Sequence, residues 1–145
     1  MNETHTYEVN LKWNNTTRGS ISSPVLDTKI EVATPPDFPN GIAGVWSPEH
    51  LFVAAINSCL MATFLSIANN SKIEFISYES SAVGTVEKTE GKFLITQVTI
   101  TPKLVIPPSV SEEHVQRIFE RSEKACTVSN SIKSKLNIVP LIIVS

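Results

Sequence analysis

Along the first part of the chain, apolar and polar residues alternate with a period of two. Tyr7, Val9, Leu11 and Trp13 share one face, and Glu8, Asn10 and Lys12 share the other, which predicts a half-buried strand. Residues 14–19 read as a turn or short loop carrying Arg18 beside a glycine. A second alternating run sets Leu26, Thr28, Ile30 and Val32 against Asp27, Lys29 and Glu31, and the two runs are expected to pair antiparallel. The stretch TPPDFPNGIAGVW, residues 34–46, is a loop by its prolines and glycines, with Phe38, Ile42 and Trp46 giving it something to pack.

Ser47-Pro48-Glu49 is a helix start: an N-cap hydroxyl, a proline whose missing N–H costs nothing at the first position, and a first-turn carboxylate. The helix is expected to run to Asn69-Asn70. Residues 75–87 and 92–106 flank Thr89-Glu90-Gly91 as a hairpin, which Pro107-Pro108 closes. Ser111-Glu112-Glu113 opens a second helix, with Val115, Ile118, Phe119, Ser122 and Cys126 on one face and Gln116, Arg117, Glu120, Arg121 and Lys124 on the other. A short further helix over 132–136, capped by Ser129, and a final strand over 138–144 confined to an edge by Pro140 complete the pattern. The order predicted is two strands, helix, two strands, helix, short helix, strand, in a single domain over residues 1–145 of α+β class.

Composition narrows the partners. Twelve basic and fourteen acidic residues leave a net charge of -2, which offers no electrostatic footprint for nucleic acid. Residues 51–68 carry no charge and approach the length of a membrane span, but Asn57, Ser58, Thr63 and Ser66 interrupt the run and no basic cluster flanks it. A core helix surrounded by sheets is the expected reading, with no membrane partner. The opening MNETHTYEVN has neither a basic start nor an apolar run, so no secretory signal is expected and the cytoplasm is the expected compartment. His5, His50 and His114 are scattered, and the two cysteines have no zinc spacing, so no metal is expected.

Cys59 and Cys126 both fall on helix faces that should be buried. Residue pattern alone leaves three readings open: two small core residues, a structural disulfide, or a reactive pair. The reactive reading needs a thiolate, and burial opposes one. Cys59 lies too far inside its helix for the N-terminal dipole to help, so the cation must come from elsewhere. Arg18 is the candidate, with Glu49 as its carboxylate partner; each reads equally well as an ordinary turn or first-turn charge.

Residues 47–63 (SPEHLFVAAINSCLMAT) and 123–130 (EKACTVSN) resemble the two cysteine motifs of the OsmC/Ohr family of organic hydroperoxide reductases. Thr17-Arg18-Gly19 is similar to the place where that family keeps its active-site arginine. The resemblance spans nearly the whole chain and implies an intertwined α+β homodimer, with long central helices buried against antiparallel sheets from both subunits. It also implies a peroxidase cycle. Cys59 attacks an organic hydroperoxide and becomes a sulfenic acid, Cys126 closes a disulfide, and an external dithiol reduces it, with no bound cofactor. In this cycle Arg18 holds Cys59 ionised and Glu49 orients Arg18, so that replacing Arg18 by alanine would raise the Cys59 pKa. Phe38, Ile42, Trp46 or Phe52 would line an apolar substrate pocket. Thr127 stands where many members have proline, which favours the OsmC-like branch, and His50 replaces an acidic or amide residue and is expected to face solvent. Two other functions remain open: a dimeric small-molecule binding protein without turnover, and a thiol-redox protein acting on something other than peroxide.

Overall fold

The computed structural model describes residues 3–145. The chain divides into two compact units, one ending at Leu51 and the other formed by Phe52–Ser145.

The N-terminal unit holds a three-stranded antiparallel sheet in the order β1 (Asn10–Asn15), β2 (Arg18–Ser23) and β3 (Leu26–Val32). The two alternating runs of the sequence are therefore not paired with each other. Between them lies β2, RGSISS, whose first two residues fall in the expected turn and whose serines carry no hydrophobic alternation. Tertiary pairing overrides that weak local signal. Two-residue turns join the strands, with Thr16 in the left-handed region at φ 45° and its carbonyl accepting from Trp13 Nε1 at 3.0 Å. The expectation of a half-buried first strand fails within this unit: every residue of β1 is exposed. The following loop folds back on itself, with Ala33 N–H donating to Trp46 O and Ile42 N–H to Thr34 O, both at 2.8 Å.

Helix α1 (Pro48–Asn70) starts as its sequence dictates, with His50 N–H donating to Ser47 Oγ at 3.1 Å. In the C-terminal unit its residues Ile56, Leu60, Phe64 and Ala68, each one turn apart, form a fully buried stripe. The stripe rests on a four-stranded sheet. Long β5 (Lys92–Ile106) pairs antiparallel with β4 (Ser77–Thr89) along one edge. Along its other edge it pairs in parallel with β6 (Lys135–Ile138) and then β7 (Leu141–Val144). Glu90 and Gly91, at φ 51° and 79°, make the tight turn between β4 and β5. The short helix expected over 132–136 is absent. A single 3₁₀ turn, Ser129–Ser131, leads into β6, and Val139-Pro140 splits the expected final strand in two. Leu136 and Ile138 are spaced for a strand face, and pairing with β5 settles the conformation.

Helix α2 (Glu112–Ala125) is capped by Ser111 Oγ, which accepts from His114 N–H at 3.2 Å. Its buried face is Val115, Ile118, Phe119 and Ser122, of which the three apolar residues form one core cluster with Phe64, Ala68, Leu104 and Ile106. A second cluster joins Ile56 and Leu60 to Val98 and Ile100. Phe64 stacks on Phe119 with ring centroids 4.4 Å apart. Gly84 lets β4 approach α1: a Cβ there would lie 2.6 Å from Val53 Cγ2. Ser80 Oγ donates to Asn57 Oδ1 at 2.6 Å, tying the same strand to the helix. α1 is long and apolar enough to cross a membrane by length and composition, but its buried stripe is that of a core helix.

Candidate active site

In the C-terminal unit, Cys59 lies in the middle of α1, and Cys126 is the residue that ends α2. Cys126 was expected on the helix face; it has left the helix, with extended backbone at φ -71° and ψ 114°. Both thiols are free. Their side chains are hydrogen-bonded to one another, so two cysteines distant in sequence meet side by side.

The pair is asymmetric. Burial by itself pushes the Cys59 thiol up, but it faces four hydrogen-bond donors that favour the thiolate. They are the Cys126 thiol, the backbone N–H of Val128, the Thr63 hydroxyl and the backbone N–H of Thr127, and together they hold Cys59 below its ordinary value. Cys126 is pushed up instead, first by burial and then by donating to Cys59 and by the negative charge that Cys59 carries. The neighbouring Ser129 opposes that rise and does not cancel it, although its Oγ makes no hydrogen bond among the described residues. One sulfur is thus prepared to ionise and its neighbour to keep its proton.

The turn after Cys126 makes this possible. Asn130 N–H donates to Cys126 O at 3.0 Å and Ser131 N–H to Val128 O at 3.0 Å, which fixes the backbone of 126–131, the segment whose Thr127 and Val128 N–H groups favour the Cys59 thiolate. Thr63, one turn beyond Cys59 on α1, completes the set. The sequence reading missed Thr63 and the two N–H groups. The spacing of four residues between Cys59 and Thr63 was a usable signal; the N–H groups had none, since any residue supplies them.

The charged residues sit in the N-terminal unit. Arg18 is the first residue of β2, not a loop residue, and its Nη1 is bonded to Glu31 Oε1 on β3. Glu31 and not Glu49 is its partner here, because antiparallel pairing of β2 with β3 places Glu31 beside Ser20, near the start of β2. Glu49 keeps its place in the first turn of α1, and its Oε1 is buried with no hydrogen-bond partner among the described residues. Such an atom is costly to desolvate and is an acceptor ready for a donor. His50 is exposed, its Nδ1 lies 2.7 Å from Ser47 Oγ, and its ring meets the edge of Trp46 at 6.1 Å. Gly44, Val45, Trp46 and His50 line a hollow of about 310 Å³. Of the four residues expected to line an apolar pocket, Trp46 lines this one, whereas Phe52 packs on the core around Ile56 and Leu60. Among the described residues, no three His, Cys, Asp or Glu side chains are grouped as metal ligands.

The model of the OsmC family, described as OsmC-like protein, matches residues 41–140, a span that includes both cysteines and Glu49. The chain belongs to the OsmC-like protein family. Among curated sequences it is 23% identical over 139 residues to the uncharacterised Bacillus subtilis (strain 168) protein YmaD, covering 92% of this chain and 91% of that one. Its fold superposes on an OsmC-like protein of unknown function from Vibrio cholerae with a TM-score of 0.84, at 24% identity, covering 97% of this chain and 100% of the other. It also superposes on an organic hydroperoxide resistance protein from Elizabethkingia anophelis with a TM-score of 0.78, at 19% identity and covering 100% of both chains. The OsmC-like fold is therefore shared by proteins of unknown function and by a hydroperoxide resistance protein.

Proposed function

We propose that the chain is a thiol-dependent peroxidase that reduces organic hydroperoxides to alcohols. The observation that carries this reading is the contact between two free thiols whose acidities are driven apart, Cys59 down and Cys126 up. In the proposed cycle the Cys59 thiolate attacks the terminal oxygen of the hydroperoxide. The O–O bond breaks, that oxygen stays on sulfur as a sulfenic acid, and the alkoxide takes a proton and leaves as the alcohol. Cys126, still protonated, then attacks the oxidised sulfur. Its proton and the sulfenic hydroxyl leave as water, and the Cys59–Cys126 disulfide forms. An external dithiol reduces that bond by exchange and is itself oxidised to a disulfide, so no bound cofactor is needed. A cycle that returns through free thiols fits the reducing cytoplasm.

Arg18 supplies positive charge to the reacting oxygens and sulfur in this proposal. The orphaned Glu49 Oε1 supports a rearrangement in which Arg18 releases the exposed Glu31 and takes Glu49 as its partner. The working unit is proposed to be a homodimer. Two sets of exposed residues support it: β1 and its neighbours expose Leu11, Trp13, Val25 and Leu26, and α1 exposes the uncharged Ala55, Ser58, Met61, Ala62 and Leu65 opposite its buried stripe.

The test is single-turnover consumption of cumene hydroperoxide or tert-butyl hydroperoxide by the reduced protein, followed by a thiol count. Loss of both thiols, abolished by Cys59→Ser, is the expected result. Thiols retained after excess hydroperoxide would overturn the peroxidase reading in favour of a binding protein. Disulfide formation with other oxidants alone would point to a different redox substrate.

A further inference from the structure

Asn40-Gly41 is the one Asn-Gly pair in the chain, and it lies in the loop between β3 and α1, in the unit that holds neither thiol. Asparagine is a chemically labile residue, and most so before glycine, where no side chain shields the next backbone nitrogen from the carboxamide. The fold nevertheless calls for both residues. Phe38-Pro39-Asn40-Gly41 is a tight turn closed by Gly41 N–H, which donates to Phe38 O at 3.0 Å. Proline at the second position supplies its fixed φ, and Asn40 at the third has φ 63°, a region asparagine tolerates better than most residues. Only glycine fits at 41, because a Cβ there would lie 2.0 Å from Pro35 O and 2.7 Å from Pro36 Cα. Turn geometry and packing therefore set a labile pair in the loop, with Asn40 exposed to solvent.

The same contacts hold the reacting atoms apart. Reaction requires the Gly41 nitrogen to lose its proton and swing toward the carboxamide carbon of Asn40. In the closed loop that N–H is committed to Phe38 O, and the carbonyl of the same peptide unit, Asn40 O, accepts from Thr17 Oγ1 at 2.9 Å. Both polar ends of the one unit that must rotate are pinned. We propose that Asn40 is a covalent modification site gated by this loop: the closed turn protects it, and the opened loop lets it pass through a succinimide to aspartate and isoaspartate. In the first step a bond forms from the Gly41 nitrogen to the Asn40 side-chain carbon. The carboxamide carbon–nitrogen bond breaks, and ammonia leaves with the proton that the Gly41 nitrogen gave up. Water then opens the ring. Attack at the side-chain carbonyl gives aspartate, which shares the tolerance of positive φ and keeps the turn. Attack at the main-chain carbonyl gives isoaspartate and adds a methylene to the backbone. That longer link cannot keep the close approach of Gly41 to Pro35, so this branch leaves the loop unable to reclose.

The test follows Asn40 by peptide mapping and mass spectrometry at mildly alkaline pH, with aspartate and isoaspartate separated by chromatography. In protein unfolded by guanidinium, Asn40 is expected to convert ahead of every other asparagine. In the folded protein its conversion is expected to be at least about tenfold slower, because it waits for local opening. Thr17→Val removes one of the two pins and is expected to speed the folded-state conversion by roughly twofold to tenfold, the worth of one hydrogen bond, with the unfolded rate unchanged. Equal rates in folded and unfolded protein would overturn the protection, and an unfolded chain in which Asn40 does not lead would overturn the site itself. A folded Thr17→Val protein that converts at the parent rate would overturn the gate. Should Thr17→Val fail to fold, guanidinium below the unfolding transition takes its place, and a rate that does not rise with denaturant would overturn the gate equally. None of these readouts involves a peroxide or a thiol, so this proposal and the peroxidase reading stand or fall separately.

Discussion

In the C-terminal unit, Phe64, Leu60 and Ile100 are fully buried, whereas in the N-terminal unit Trp13 keeps 72% of its surface and Leu26 65%. Both sets come from equally convincing hydrophobic patterns. The difference is the number of layers. In the C-terminal unit two helices and a four-stranded sheet bury two core clusters between them. The three strands of the N-terminal unit form one layer, and one layer cannot bury its own apolar face. A pattern of alternation thus reports that a face wants covering, not that its own unit covers it.

The contrast is tested most strongly by truncating each side. Phe64→Ala removes the ring stacked on Phe119 and is expected to lower stability by about 3–5 kcal/mol in urea unfolding. Trp13→Ser is expected to change the stability of an isolated subunit by no more than about 0.5 kcal/mol. In the proposed homodimer its effect should appear in light scattering, as a shift from dimer to monomer at micromolar concentration. A cost for Trp13→Ser comparable to that of Phe64→Ala, with no change in mass, would erase the distinction between the units.

A smaller effect probes how tightly the layers of the C-terminal unit meet. Gly84→Ala places a methyl group against Val53 and is expected to cost about 1–3 kcal/mol through overpacking. A neutral result would mean that β4 can yield. The smallest effect concerns Tyr78, whose hydroxyl is buried without a hydrogen-bond partner among the described residues and whose phenol burial pushes up from 10.0 to about 12. Tyr78→Phe removes an unsatisfied group and is expected to leave stability near neutral pH unchanged or raised by up to about 1 kcal/mol. The folded state prefers the neutral phenol, so its contribution is intact below pH 10.0 and is lost as pH climbs through about 12. Unfolding free energies of the parent and Tyr78→Phe proteins should therefore diverge across that window, the parent falling more steeply.

Legibility in the sequence followed local chemistry. Ser47-Pro48 and Ser111 announced two helix starts because capping is decided within a few residues. Glu90-Gly91 announced its hairpin because the turn demands positive φ. β2 was invisible because RGSISS has no amphipathic signature and becomes a strand by hydrogen bonding to both neighbours. Residues 132–136 read as a short helix because they fit more than one period, and only pairing with β5 resolves the ambiguity. At the candidate site, the residue types with their own chemistry, Cys59, Cys126, Arg18 and Glu49, could be named in advance. Their partners could not: Arg18 meets Glu31 because of strand register, and the donors around Cys59 include two backbone N–H groups that no residue name betrays.

By itself, then, the sequence determined where the helices begin, which residues wish to be buried and which atoms can react, since capping, hydrophobicity and nucleophilicity belong to single residues and short windows. The tertiary structure alone decided that the two thiols touch, which of them ionises first and which apolar faces remain uncovered. Those properties depend on distance, hydrogen-bond direction and the layers available to exclude water, and such quantities exist only once the chain has folded.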